Sequence, residues 1–383
     1  MSQRVLAVGM GIGIALVPAF FGARWLLREL PVLAFHEPNE AERVEASSKA
    51  AERLAEGGFR VPLSEEVVAN IMPLKGWRVY DPHCYFRYKG GLKSELTWKE
   101  HPNGGYDLVT NSLGLRMDAE IAPEAPDLRI LLAGDSHMTG KCGNAESLHE
   151  VLAERLRAGD PARSVEAING SQGAYSFYHY LGVLERMLHL GVVPDLFVVV
   201  VYGGNDFLAV HLWHFFNGTK RRRGSTKMKK LCAEEHPESL GQVLNVADDF
   251  RAGGPAEVEL AHRMATTVMG EVQRQCAQQG IDLLVVYLPS PSELPGQADQ
   301  TAIEAGRELM GLEQEDVDLL GKMGDRLLRD LEAMGIATFD LRPGFRRQDR
   351  ELYWRADLHL NVDGHARAAE LLEPWVEDWW TRR

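Results

Sequence analysis

The chain has 383 residues, of which 45% are hydrophobic and 25% are charged, as in an ordinary globular protein of one or two domains. Its net charge of −13 argues against a general nucleic-acid binder. The four cysteines, Cys84, Cys142, Cys232 and Cys276, are scattered without metal-ligand spacing. They predict neither a zinc site nor a disulfide framework, although one or two disulfides remain open.

The first predicted element is an apolar segment at the N-terminus. Residues 5–23, VLAVGMGIGIALVPAFFGA, carry no charge and lie between Arg4 and Arg24. At about 1.5 Å per residue, a helix of this length crosses the hydrocarbon core of a bilayer, so we predict a single membrane anchor over residues 1–27. A signal peptide is the alternative, but the segment lacks a small-x-small cleavage site. Arginines on both sides leave the orientation open.

Residues 28–125 are predicted to be a stalk followed by an irregular lead-in. The stretch 28–55 is polar and rich in Glu and Ala, which favours a helix. Residues 56–125 combine aromatics, glycines and short turns, which favours irregular or β-rich structure without a separate core.

An α/β domain is predicted over residues 126–383. Five short apolar runs are typical of buried strands: 128–134, 165–169, 195–204, 281–288 and 336–341. Amphipathic stretches between them, and a last one after residue 364, are typical of helices. Continuous apolar strands that alternate with helices indicate a parallel sheet covered on both faces.

Polar residues follow these strands at the positions where an open parallel sheet binds ligands. Ser136 comes after the first strand, Gly173 after the second and Asn205 after the third, while Asp357 and His359 follow the fifth. We therefore expect these side chains to meet at one rim of the sheet.

Their chemistry is that of acyl transfer. A serine at a helix start has its hydroxyl and its own N–H in the same space, and the helix dipole favours negative charge there. Ser136 is the candidate nucleophile, and the Gly173 N–H and the Asn205 amide are candidate oxyanion donors. His137 is not expected to be the base, because adjacent side chains seldom meet in a geometry that suits proton transfer. It is expected to be a polar residue of the first helical turn.

His359 is instead the candidate base, with Asp357 fixing its tautomer. Two residues apart on an extended segment, both side chains would face the same way. His365, six residues further on, remains an alternative base.

The blocks GDSHMTG, NGSQGAYS, GGND and DLHLNVDGH resemble, in this order, the four signature blocks of the SGNH hydrolases, the GDSL-type esterases and lipases. The resemblance covers about residues 110–373, and the preceding NSLGLRMD is similar to a bacterial subgroup with an N-terminal membrane segment. It implies a flavodoxin-like three-layer α/β/α sandwich with a five-stranded parallel sheet and no metal or organic cofactor. It also implies Ser136 as nucleophile and oxyanion donor, Gly173 and Asn205 as further donors, and His359 as base.

The last block departs from the common family spacing. Most members have Asp-x-x-His, whereas this chain has Asp357-x-His359. The shorter spacing resembles that of membrane-linked relatives that acetylate exopolysaccharides.

Two other functions remain open. Asp135-Ser136-His137 and Gly204-Asn205-Asp206 have the spacing of two metallophosphoesterase motifs, but no GDxxDR-like segment lies between them to bridge two metals. The second open function is that of an inactive, membrane-anchored binding or scaffold protein. The presence of all the candidate catalytic residues argues against it.

Residues 207–254 are predicted to be an insertion. They contain the apolar FLAVHLWHFF and the basic KRRRGSTKMKK. Such a segment suits an anionic membrane surface, a lid over the rim, or a solvated basic loop.

The sequence thus predicts a membrane-anchored serine esterase or acyltransferase whose catalytic domain is extracytoplasmic. The resemblance to exopolysaccharide-modifying relatives implies an O-acetylated carbohydrate as the first substrate. A lysophospholipid or other lipid ester is the alternative, because the anchor and the FLAVHLWHFF segment would suit an enzyme that works at a bilayer.

Overall fold

The computed structural model of the protein describes residues 63–72, 74, 76–296, 300–347 and 349–383. The predicted anchor and stalk lie outside the described residues. Within those ranges, no helix is long and apolar enough to cross a membrane.

The described chain alternates strands and helices. The strands are β1 Arg78–Asp81, β2 Tyr85–Tyr88, β3 Lys93–Thr97, β4 Gly105–Val109, β5 Leu128–Ala133, β6 Val165–Asn169, β7 Leu196–Tyr202, β8 Asp282–Leu288 and β9 Ala337–Asp340. The helices are α1 Glu65–Ile71, α2 Ser136–Thr139, α3 Leu148–Gly159, α4 Phe177–His189, α5 Val210–Phe216, α6 Thr226–Glu235, α7 Pro237–Ser239, α8 Asn245–Gly253, α9 Pro255–Gln279, α10 Gln300–Met310, α11 Gln314–Ala333, α12 Arg342–Phe345 and α13 Val362–Arg382. Short 3₁₀ turns span Asn144–Glu146, Asp206–Ala209 and Pro291–Glu293, and a π-helical turn spans Leu240–Leu244.

Five parallel strands form the central sheet, in the order β6-β5-β7-β8-β9. This confirms the predicted α/β fold with a five-stranded parallel sheet. If these five strands are numbered 1 to 5 along the chain, their order across the sheet is 2-1-3-4-5, which is the flavodoxin-like arrangement. The order reverses between β5 and β7, and the crevice at such a switch point is where these sheets bind ligands.

Alternate side chains of the strands enter two hydrophobic cores, one on each face of the sheet. On β5, Ile130 and Leu132 pack with residues of α3 and α13. Leu131 and Ala133 point the other way and pack with residues of α4, α9 and α11. All six residues of β5 are buried, which explains why its sequence, LRILLA, is apolar at every position except Arg129 rather than alternating.

The lead-in packs on the α/β domain as two antiparallel hairpins, β1–β2 and β3–β4. Tyr85 and Phe86 are buried in the same core as α4. The turn before them lies directly on α4, because a side chain at Gly182 would come within 2.3 Å of the His83 carbonyl oxygen. This contact packs the β1–β2 hairpin closely against α4.

The segment 207–254 is mostly helical, and much of it is core rather than surface. Val243, Val246 and Phe250 are buried among the helices on one face of the sheet. Arg221 and Lys229 of the basic run both form ion pairs with Asp249 of the same segment. Part of the charge that suggested a membrane-binding patch is therefore neutralised within the segment.

Candidate active site

Ser136 lies where β5 ends and α2 begins, at the switch point of the sheet. The turn is tight, since a side chain at Gly134 would come within 2.4 Å of Met138. Asp135 caps the helix by accepting a hydrogen bond from the His137 N–H at 2.8 Å. The Ser136 hydroxyl then points at His359, with 3.0 Å between Oγ and Nε2.

The structure brings Asp357 and His359 together as well. Nδ1 of His359 lies 2.8 Å from Oδ2 of Asp357, and its backbone N–H donates to Oδ1 at 3.2 Å. The expectation of an extended segment is wrong, because Leu358 between them has a φ of 58°. This left-handed residue turns the chain so that the carboxylate reaches the ring that follows it. A non-glycine residue seldom adopts this conformation, which here is held by burial of the Leu358 side chain.

These contacts fix the tautomer of His359. Its Nδ1 carries the proton that Asp357 accepts, so Nε2 presents a lone pair to the serine hydroxyl. Burial alone would raise the pKa of Asp357, but the facing His359 and the Lys141 ammonium outweigh it and hold that pKa well below its usual range. The Asp357 carboxylate is therefore ionised at neutral pH.

Lys141 is a residue of this site that sequence reasoning missed. Its ammonium forms an ion pair with Oδ2 of Asp357 and lies 3.9 Å from the centre of the Trp98 ring. Trp98 follows β3, so the lead-in contributes the ring against which the Lys141 partner of Asp357 packs. No local signal could have linked these residues, because they come from three distant parts of the chain.

Gly173 lies beside the serine. A β-carbon placed on it would be 3.6 Å from Cβ of Ser136, and its carbonyl accepts a hydrogen bond from Arg78 at 3.2 Å. Arg78 also belongs to the lead-in and was not predicted. Ala174 follows with a φ of 74°, so the loop bends sharply just after Gly173.

Asn205 does not contact Ser136 directly. Its amide nitrogen donates to Oε1 of Gln242 at 3.3 Å, and Nε2 of Gln242 lies 3.3 Å from Nε2 of His359. Asn205 and His359 are thus joined through a glutamine that comes from the π-helical turn of the insertion. Gln242 is a further residue of the site that sequence reasoning missed.

His137 is buried beside the site, and both of its ring nitrogens contact groups other than Ser136. Its ring stacks on Tyr202 at 3.7 Å and lies 4.8 Å from the His359 ring. Nδ1 accepts from the Leu360 N–H at 3.1 Å, and Nε2 lies 3.1 Å from Oε1 of Gln242. Burial lowers the pKa of His137 well below its usual range, so the ring stays neutral.

His365, the alternative base, is fully buried away from the serine. Its Nδ1 accepts a hydrogen bond from the Leu148 N–H at 3.2 Å. Burial lowers its pKa to about 3.

Two buried carboxylates lie under the site. Asp206 accepts hydrogen bonds from the Tyr180 hydroxyl at 2.6 Å and the Tyr202 N–H at 2.8 Å. Burial raises the pKa of both Asp135 and Asp206, and the nearby Asp135 charge raises that of Asp206 further. Across the described part of the chain, no group of His, Cys, Asp and Glu side chains is arranged to hold a metal ion. All four cysteines are buried, and none of them forms a disulfide bond.

Residues 247–377 match the family model described as "SGNH hydrolase-like domain, acetyltransferase AlgX". This stretch contains Asp357 and His359, while Ser136, Gly173 and Asn205 precede it. The comparison with curated proteins finds no match.

Solved structures similar to this chain include LAE5, an alpha/beta hydrolase enzyme from the metagenome of Lake Arreo, Spain. The sequence identity is 17%, the similarity covers 65% of this chain and 94% of that chain, and the TM-score is 0.39. A catalytic mutant of Axe2, an acetylxylan esterase from Geobacillus stearothermophilus, has 10% identity over 66% of this chain and 94% of that chain, with a TM-score of 0.37. The acetyl xylan esterase AlAXEase has 15% identity over 65% and 99%, with a TM-score of 0.35. Similarities at this level carry no argument about substrate. The match of residues 247–377 to this family model supports an SGNH-type domain and an enzyme that acts on ester bonds.

Proposed function

We propose that the protein removes or transfers an O-acyl group through an acyl-enzyme on Ser136. The observation that carries this proposal is the continuous path from Ser136 Oγ to His359 Nε2 at 3.0 Å and from His359 Nδ1 to Asp357 at 2.8 Å. Each contact has the length that proton transfer or tautomer control requires.

In the first half of the reaction, His359 takes the hydroxyl proton as Ser136 Oγ attacks the acyl carbon. The carbonyl oxygen gains negative charge, and the N–H groups of Ser136 and Gly173 and the amide of Asn205 are proposed to stabilise it. By analogy with other enzymes, each such donor is worth roughly 2.7–4 kcal/mol of barrier. The imidazolium then gives its proton to the leaving alcohol, and the acyl group stays on Ser136.

In the second half, water or an acceptor hydroxyl gives its proton to His359 and attacks the acyl carbon. Ser136 recovers its proton from the imidazolium as the acyl bond breaks. The chemistry is the same for hydrolysis and for transfer, and only the acceptor differs.

The proposed acyl group is an acetyl group on a carbohydrate. Support comes from the Asp357-x-His359 spacing and from the family model, whose description names an acetyltransferase. The lipid-ester alternative drew on the apolar segment at 207–216. Phe207, Val210 and Trp213 of that segment are buried, and Phe215 is its exposed ring, so this segment offers little apolar surface to a lipid.

We further propose that residues 5–23 anchor the enzyme in a membrane with the catalytic domain outside the cytoplasm. The anchor rests on the uncharged length of the segment. The side rests on the resemblance to membrane-linked relatives that acetylate exopolysaccharides. Resistance of the full chain to carbonate extraction from membranes tests the anchor. Digestion of the catalytic domain by protease added to the outside of spheroplasts tests on which side of the membrane that domain lies.

The decisive experiment is labelling of the full-length protein with a fluorophosphonate probe. Wild type is expected to be labelled on Ser136, and Ser136→Ala and His359→Ala are expected to lose the label. The matched controls Ser225→Ala and His189→Ala change exposed side chains and should label normally. A folded wild-type protein that takes no label would contradict the serine mechanism.

A further inference from the structure

The Gln242 side chain makes polar contacts with three residues of the site. Its Oε1 lies 3.1 Å from Nε2 of His137 and 3.3 Å from the amide nitrogen of Asn205. Its Nε2 lies 3.3 Å from Nε2 of His359. Every polar atom of this carboxamide therefore faces the site.

The surrounding groups settle which way the carboxamide points. Nδ1 of His137 accepts from the Leu360 N–H, so the proton of this neutral ring is on Nε2 and must be donated to an oxygen. Asn205 also donates to the same atom. The oxygen of Gln242 therefore faces His137 and Asn205, and its NH₂ group donates to His359.

The backbone of Gln242 is held in place by specific contacts. Its carbonyl accepts a hydrogen bond from the Tyr202 hydroxyl at 3.3 Å. A side chain at Gly204 would come within 2.4 Å of that carbonyl, so the glycine permits the approach. Gln242 is also the middle residue of the π-helical turn Leu240–Leu244, and such turns occur often at functional sites.

The consequence concerns the single lone pair on Nε2 of His359. In the free enzyme, the Ser136 hydroxyl at 3.0 Å and the Gln242 NH₂ at 3.3 Å share it. Once Ser136 carries an acyl group, its hydroxyl proton is gone and it no longer donates. Gln242 is then the protein donor that remains beside the lone pair, and a water molecule must displace it to be activated.

We propose that Gln242 holds the lone pair of His359 against water while the acyl group is on Ser136, and thereby favours transfer to a hydroxyl acceptor over hydrolysis. This inference rests on the proposed acyl-enzyme function. A sugar acceptor bound by contacts elsewhere in its structure can use that binding energy to displace the glutamine, whereas water has no such contacts. Gln242 is a positioning residue in this account, because it takes no proton and forms no covalent bond.

The covalent step is unchanged by it. The acceptor hydroxyl gives its proton to His359 Nε2, its oxygen bonds to the acyl carbon, and the bond from that carbon to Ser136 Oγ breaks. The proton then passes from His359 to Oγ, so the enzyme returns to its starting state with the acyl group on the acceptor.

The test follows the acetyl-enzyme directly. The full-length protein is mixed rapidly with p-nitrophenyl acetate, freed of excess ester, and quenched at intervals, and mass spectrometry measures the acetyl group on the peptide that contains Ser136. Wild type is compared with Gln242→Ala, with Gln242→Met, which keeps the length of the side chain without its hydrogen bonds, and with the exposed control Gln278→Ala. Melting temperatures report folding.

We expect the acetyl group to form on Ser136 in all four proteins, and its rate of formation is measured separately from its rate of loss. Loss of the acetyl group to water should be about fivefold faster in both Gln242 variants, which corresponds to about 1 kcal/mol. The control should decay like wild type.

Several outcomes would contradict the inference. Equal decay in all four proteins would overturn it while leaving the acyl-enzyme intact. Faster decay in the alanine variant alone would assign the effect to volume and overturn the hydrogen-bond account. Slower acetylation in both variants would make Gln242 a support of the attacking groups instead. Failure of wild type to become acetylated or labelled at Ser136 would contradict the proposed function itself.

Discussion

Lys141 binds the same oxygen of Asp357 that accepts the hydrogen bond from His359. One carboxylate oxygen therefore serves an ammonium and an imidazole together. The ammonium reduces the negative potential that would stabilise an imidazolium during the reaction. Lys141 therefore lies where its charge opposes the stabilisation of an imidazolium at His359, and its ammonium packs against the Trp98 ring.

Replacing Lys141 by methionine should make His359 a stronger base. We expect the acidic limb of the kcat/KM profile to move to higher pH by about one unit, which is about 1.4 kcal/mol and reflects a partly exposed charge one carboxylate away. The pH profile with p-nitrophenyl acetate measures it. Lys230→Met, at an exposed position, is the control. If the acidic limb of the kcat/KM profile stayed at the same pH in the variant, Lys141 would only pack against Trp98.

Replacing Asp357 by asparagine tests whether this one residue orients the base, given its spacing from His359. The variant loses the charge that stabilises the imidazolium and that fixes the proton on Nδ1. In serine proteases the equivalent change costs about 10⁴ in kcat, and we expect a loss of roughly 10³–10⁴ here. Turnover of p-nitrophenyl acetate by variants of unchanged melting temperature measures the loss. A loss of less than tenfold would mean that another group holds the ring.

Much of the sheet could be predicted because its strands are locally distinctive. The run LFVVVVY is buried at all seven positions of β7, and a continuous apolar run is what a central parallel strand requires. The positions of Ser136 and Asn205 followed from the same argument, since both stand directly after such strands.

The rest depended on contacts that have no local signal. Gln242 is 117 positions from His359 and reaches it only through the path of the insertion. Lys141 and Trp98 meet because a lead-in hairpin packs on the domain. The prediction of an extended segment at residues 357–359 was wrong because Leu358 has a left-handed backbone. Side chains two residues apart face the same way only where the backbone is a strand.

Replacing Gly173 by alanine should impair catalysis without harming the fold. The added methyl group would lie 3.6 Å from Ser136 Cβ and 3.7 Å from Arg78 Nη2, which are ordinary contact distances. It would project toward the serine, however, where the carbonyl oxygen of a substrate must approach the Gly173 N–H. We expect a fall in kcat/KM of at least about 10², comparable to the loss of one oxyanion donor.

Melting temperature and esterase activity together decide this prediction. Normal folding with normal activity would place the oxyanion elsewhere. Gly159→Ala is a suitable control, because the position is exposed at the end of α3 and the nearest atom to an added methyl group, Oε1 of Glu377, would lie at an ordinary 3.5 Å.

The buried histidines should make the protein sensitive to acid. Burial, followed by the nearby Arg116 charge, lowers the pKa of both His149 and His365 to about 3, whereas an unfolded histidine titrates near 6.5. The unfolded chain therefore binds more protons than the folded chain below about pH 6.5. Stability is complete above that pH and is lost as the pH falls toward 3, by about 2 kcal/mol for each ring at about pH 5.

His365→Asn tests this linkage while leaving an acceptor for the Leu148 N–H. The free energy of unfolding in urea, measured near pH 7.5 and near pH 5, should change less between the two pH values in the variant, by about 2 kcal/mol. Any cost of the substitution that is the same at both pH values cancels in this difference. His189→Asn changes an exposed ring and should keep the wild-type slope. An identical slope in the His365 variant would mean that this ring is protonated in the folded protein, with its charge compensated by groups around it.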